Sequence, residues 1–110
     1  MLTLPIQKKW YQMIVSGVKT EEYRTIKHYY RKRFQSIGLL DCQGNPTDSS
    51  AVIQLRNGYS STSPTAIVRV TLSIKSGNIE WGAVHGQSYY CLTMCSVIHH
   101  TEETEENDVK

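Results

Sequence analysis

The segment Ser16-Gly17-Val18-Lys19-Thr20-Glu21-Glu22-Tyr23-Arg24 decides how the rest of the chain reads. It places a lysine, two glutamates and an arginine within six residues, directly after a glycine. Glycine tolerates the left-handed backbone that ends a helix, so Gly17 marks a helix stop. Upstream, Ile6, Trp10, Met13 and Ile14 recur at helical spacing, with Lys8, Lys9 and Gln12 on the other side. That pattern predicts a helix over 6–16. Pro5 reads as its first turn, where a missing N–H costs nothing. Leu2-Thr3-Leu4 alternates and reads as a short strand. Downstream, Thr20 and Tyr23 favour extended backbone. A period of two then puts Lys19, Glu21 and Tyr23 on one face and Thr20, Glu22 and Arg24 on the other.

Helical spacing returns at Ile26, Tyr30, Phe34 and Ile37, predicting a helix over 27–36 that stops at Gly38 and turns Lys27, Arg31, Lys32 and Arg33 to solvent. Asp41 to Pro46 is dense in turn formers. Ala51 to Arg56 reads as a largely buried strand, Asn57-Gly58 as a tight turn, and Tyr59 to Pro64 as a polar loop. Ala66, Val68, Val70, Leu72 and Ile74 alternate with Ile67, Arg69, Thr71, Ser73 and Lys75, the clearest strand in the chain. Ser76-Gly77-Asn78 turns the chain, and Tyr89 to Val97 reads as the last core strand. The expected class is α+β: five or six strands in a small curled or closed sheet, flanked by two helices. One domain is expected over 1–98, followed by an acidic, disordered tail over 99–110.

The bulk numbers fit that size. The chain has 110 residues, of which 39% are hydrophobic, enough for one core. No apolar run approaches the roughly 20 residues that span a bilayer. The N-terminus lacks a basic segment followed by an apolar one, so a cytoplasmic protein with no membrane partner is expected. Cys42, Cys91 and Cys95 are an odd set without an export signal, which fits reduced thiols, with Cys91 and Cys95 expected as small buried residues. Cys91 and Cys95 with His85, His99 and His100 lack zinc-knuckle spacing, so neither metal nor cofactor is expected. The net charge of +2 conceals an asymmetry. Before the tail stand 11 basic and 5 acidic residues, a body of +6, and eight of the basic ones fall between Lys8 and Arg33. Such a body suits polyanions such as RNA.

Three groups carry candidate chemistry. Lys19, Glu22 and Arg24 can hold an anionic ligand, with Glu22 orienting the cations or acting as an acid–base group; on spacing alone they also read as an exposed ion-pair cluster. Arg56-Asn57-Gly58-Tyr59 offers a guanidinium, an amide and a ring for an unpaired base, or forms an ordinary hairpin turn with a half-buried tyrosine. Lys8 and Lys9, with Lys27, Arg31, Lys32 and Arg33, form basic helix faces that contact phosphate or simply meet water. Tyr29, Tyr30, Tyr89 and Tyr90 read as a stacking platform or as core and rim residues.

With these residues in view, Gly17-Val18-Lys19-Thr20-Glu21-Glu22-Tyr23-Arg24 matches the pattern G-x-K-x-x-E-x-R, and the chain resembles small single-domain ASCH proteins. The preceding helix, Arg56-Asn57-Gly58-Tyr59 and Glu80-Trp81-Gly82 extend the resemblance over about residues 2–98. It implies a PUA-like β-barrel with flanking helices and a cleft beside the motif. It also implies binding of RNA or a nucleotide, with Lys19, Glu22 and Arg24 touching the ligand. The alternative it implies is a hydrolase acting on RNA or on an N4-acetylcytidine-like amide, with Lys19 and Glu22 catalytic. That amidohydrolase branch uses a threonine three residues after the lysine; here that position is Glu22, and Thr20 is out of register. Glu80 stands as a candidate for its distant acid.

Overall fold

In the computed structural model, which describes residues 1–101, the chain runs β1 (Thr3–Ile6), α1 (Lys8–Val15), β2 (Glu21–Arg24), α2 (His28–Ser36), β3 (Ala51–Asn57), β4 (Thr65–Ser76), a 3-10 turn (Ile79–Trp81) and β5 (Ser88–His100). The strands form one mixed sheet in the order β1-β3-β4-β5-β2. Only β1 and β3 are parallel; the other three pairs are antiparallel.

Alternation decides which face is dry. Ala66, Val68, Val70 and Leu72 of β4 are buried, as are Ile53 and Leu55 of β3, Leu4 of β1 and Leu92 of β5. The apolar stripes of both helices meet that face through Tyr11, Ile14 and Phe34, giving one core. Leu39 and Leu40, just past α2, complete it. The Tyr11 hydroxyl lies within hydrogen-bond distance of the carbonyls of Thr65 (2.9 Å) and Thr101 (2.6 Å), and its single proton is shared between them, tying α1 to the start of β4 and the end of β5. Ile74, expected inside, is exposed near the far end of the hairpin.

Several expected boundaries move. Pro5 and Ile6 belong to β1, not to the helix. Proline is tolerated there because β1 is an edge strand and needs no outward donor. β5 continues to His100, and the Thr101 amide still bonds the Thr65 carbonyl (2.8 Å), past the expected boundary at 98. Residues 102–110, most of the expected tail, lie outside the described residues. Two register shifts in the β4–β5 ladder leave Cys95 and Ile98 without opposed partners. Both are exposed, so Cys95 is not the buried thiol expected, whereas Cys91 is. A bulge turns its extra residue out of the alternation. Among the described residues no helix is long and apolar enough to cross a membrane.

The sheet curls but its ladder does not close into the expected barrel: β1 and β2 are the outer strands, and no backbone pairing joins them. A side chain crosses the gap instead. Arg24 of β2 donates through Nη2 to the Pro5 carbonyl of β1 at 2.8 Å. This seam is where the functional candidates gather.

Phe34 is fully buried, stacked on Tyr30 at 6.0 Å and edge-on to Tyr90 at 5.4 Å. Phe34→Ala is expected to cost about 3–5 kcal/mol, a large share of the roughly 5–15 kcal/mol of a domain this size. Urea unfolding with an unchanged m-value checks it.

Candidate functional site

The turn after α1 delivers the first residue. Gly17 takes φ 87°, and its amide bonds the Ile14 carbonyl at 3.1 Å. The Lys19 amide reaches back to Met13 at 2.9 Å, closing the helix end. Lys19 is thereby drawn inward, and only 1% of it is exposed. Its ammonium donates to the carbonyls of Glu21 and Trp81, and sits 3.2 Å from Glu22 Oε1. Three rings surround it: Tyr23 at 4.9 Å, Trp10 at 5.2 Å and Trp81 at 5.8 Å. Burial pushes its pKa down, against the opposing pull of Glu22.

Glu22 joins two cations. Its other oxygen accepts from Arg24 Nη2 at 2.7 Å, and all three side chains are nearly or fully buried. The expected exposed ion-pair cluster is therefore a buried one, with two positive charges on one carboxylate. Arg24 also donates to the Tyr30 hydroxyl at 3.3 Å, and Glu22 and Tyr30 outweigh its burial to hold the guanidinium charged. Glu22 and Arg24 share one face of β2, as the period of two requires.

The other face of β2 builds the cover. Tyr23 donates to Glu21 Oε1 at 2.7 Å and accepts from the Asn78 amide at 2.9 Å. Glu21 also pairs with Lys75 at 2.6 Å. Gly77 makes this approach possible, because a Cβ there would stand 2.7 Å from the Tyr23 ring. The fastened loop carries Trp81 over Lys19.

Beside this cluster lies a cavity of about 580 Å³, lined by Pro5 to Lys8, Trp10, Glu22 to Arg24 and Asn57 to Tyr59. That volume falls within the roughly 300–1,000 Å³ usual for small-molecule sites. Of the residues expected at a site, the fold brings Glu22, Arg24, Asn57, Tyr59 and Lys8 to it. Lys19 packs against Trp10 and Tyr23 and does not line the cavity. Arg56 does not line it either; it stands opposite Pro5 on the sheet face away from Leu55, its Nε buried with no hydrogen-bond partner among the described residues. Lys9 lies on the outer side of α1, 4.7 Å over Trp10. Glu80, on the 3-10 turn, is exposed and absent from the lining. Tyr59 is 88% exposed rather than half-buried. The tyrosine platform divides, with Tyr89 and Tyr90 buried and Tyr29 exposed. No three His, Cys, Asp or Glu side chains converge among the described residues.

The sequence reading missed Trp10, Trp81 and Tyr23. The chain has two tryptophans, and both border Lys19. Trp10 packs against the core, as its place in the apolar stripe predicts, and its ring also borders both the cavity and the buried ammonium.

Removing the shared anion is expected to do the most damage. Glu22→Gln strands two buried cations and should cost about 3–5 kcal/mol in urea unfolding. Lys19→Met should cost less, since Glu22 and Arg24 remain paired and the three rings accept an apolar chain. Glu21 gives the pH test. Burial raises its pKa, but the bonds from Lys75 and Tyr23 outweigh that and hold it below the usual carboxylate value. Its stabilisation is present above the unfolded pKa and lost as pH falls through the folded one. Glu21→Gln should flatten the loss of stability below about pH 4.3, while costing only about 0.2–1 kcal/mol at neutral pH.

The chain matches no protein-family model, no curated protein sequence and no solved structure, so the reading of this cavity rests on its own chemistry.

Proposed function

We propose that this chain is an ASCH-like domain of PUA-like architecture that binds RNA or a nucleotide in the seam cavity. The observation that carries the reading is the excess positive charge of that cavity. Arg24 and Glu22 stand on one wall, Lys19 adds a second cation behind them, and Lys8 adds a third at the mouth. Gln7 and Lys8, at the start of α1, also border the space, so the positive end of the helix faces it. Anionic groups are favoured there for two independent reasons, side-chain charge and oriented backbone.

The remaining walls suit a base. Tyr59 presents an exposed ring at the mouth for stacking. Asn57 offers an amide able to donate and accept along a base edge. Glu22 has spare lone pairs beyond those used by Lys19 and Arg24, and can accept from an exocyclic amine. Lys19 acts as a positioning residue: it holds Glu22 and never meets the ligand.

Fluorescence anisotropy with single-stranded RNA, repeated across salt concentrations, is the test. Binding should weaken with salt, and Lys8→Ala should reduce the slope of log K against log salt by about 0.7. Tyr59→Ala should cost roughly 1–3 kcal/mol. Absent binding at low salt, or binding indifferent to both Asn57→Ala and Tyr59→Ala, would sink the proposal.

A further inference from the structure

From the aromatic and cationic array on α2 we infer that the chain takes a strand of nucleic acid rather than a lone nucleotide, with a second base stacking on Tyr29 and Arg33. This rests on the seam cavity holding the first nucleotide.

Tyr29 is 51% exposed on a helix whose Phe34 is buried and whose Tyr30 is half-buried. The Arg33 guanidinium lies 3.6 Å from its ring centroid, with Nη1 bonded to the Tyr29 carbonyl at 3.2 Å. The guanidinium is thus held over the ring before any ligand arrives. A base can extend such a stack, since both a phenol ring and a guanidinium plane accept one.

The array is continuous with the cavity. Arg24 lines the cavity and lies 5.7 Å from the Tyr30 ring. Tyr30 meets Tyr29 edge-on at 5.1 Å. Two short links therefore connect the seam to the exposed stack, a separation that neighbouring nucleotides of an extended strand can bridge.

Charge runs the same way. Between Arg24 and Leu40 there is no acidic residue. Among the described residues Lys27, Arg31, Lys32 and Arg33 pair with no carboxylate. A helix surface carrying unneutralised cations repels itself and favours a polyanion along it. An acidic protein would satisfy the charge, but it gives no reason for the Tyr29–Arg33 stack.

The test compares a fluorescein-labelled ten-nucleotide oligouridylate with uridine monophosphate and with polyglutamate. Tyr29→Ala should weaken the oligonucleotide roughly 5- to 150-fold and leave the monophosphate unchanged. Tyr29→Phe should restore the oligonucleotide affinity, because the ring and not the hydroxyl carries the stack. Far-UV circular dichroism confirms that both variants are folded. Oligonucleotide binding that ignores Tyr29→Ala but responds to Asn57→Ala would overturn the second subsite and leave the cavity reading standing. Polyglutamate binding as tightly as the oligonucleotide would overturn it in favour of an acidic partner. No binding of either nucleic-acid probe by the unaltered chain would overturn both readings.

Discussion

The structure depends on one buried cluster of charges, in which Glu22 joins Lys19 to Arg24. Lys19 sits beneath α1 with its charge met by Glu22, two carbonyls and three rings. Taking an ammonium out of water costs several kcal/mol, which only near-complete solvation by the protein offsets. That demand fixes much around it. Gly17 must turn the chain so that Lys19 enters. Gly77 and Tyr23 must bring the 3-10 turn close enough for the Trp81 carbonyl and ring to reach it. Glu22 must reach it, and the same carboxylate anchors Arg24.

Arg24 carries the consequence to the sheet. A five-stranded sheet that curled fully would pair its outer strands by backbone bonds. Here the outer strands are joined by a guanidinium on a carbonyl, so the seam has the thickness of a side chain. A seam of that width leaves space beside it, and the cavity is that space. Its polar wall is therefore not an addition to the fold but the device that holds β1 near β2. An isolated ion pair would be weak grounds for claiming a site; a triad that fastens two strands and faces a cavity is stronger, because its geometry is over-determined.

Local patterns in the sequence reached the elements but not the seam. The stripe through Trp10, Met13 and Ile14, the stop at Gly17 and the alternation through Val68, Val70 and Leu72 each follow from neighbours a few residues apart. Pro5 reads as a helix opener, because a proline opening a helix and a proline on an edge strand look alike until the pairing partner, β3, is known. The bulges at Cys95 and Ile98 depend on register against β4, which no local pattern encodes. Lys19 reads as a surface residue by composition, and its burial follows only from contacts as distant as Trp81. The motif could say that Lys19, Glu22 and Arg24 belong together, but not that the lysine is the support and the other two the wall. Adjacent tyrosines show the same limit. Tyr29 and Tyr30 are about 100° apart on a helix, so one joins the core contacts and the other meets solvent.

Rigidity then divides the labour within the site. Arg24 is bonded at once to Glu22, Pro5 and Tyr30, so it cannot swing to follow a ligand. It contributes a fixed charge and a fixed distance. Adaptable contacts must come from elsewhere, and the candidates are on the β3–β4 connection, where Gly58 takes φ 114° and Tyr59 is almost free of packing. Loops supply variable recognition when a rigid scaffold presents them. On the proposed binding of RNA or a nucleotide, the buried triad would set where an anionic group rests, and the exposed ring and amide beside it would set which base is accepted. On that proposal a change of specificity would be made at Asn57 and Tyr59, because any change at Glu22 or Arg24 would first open the seam.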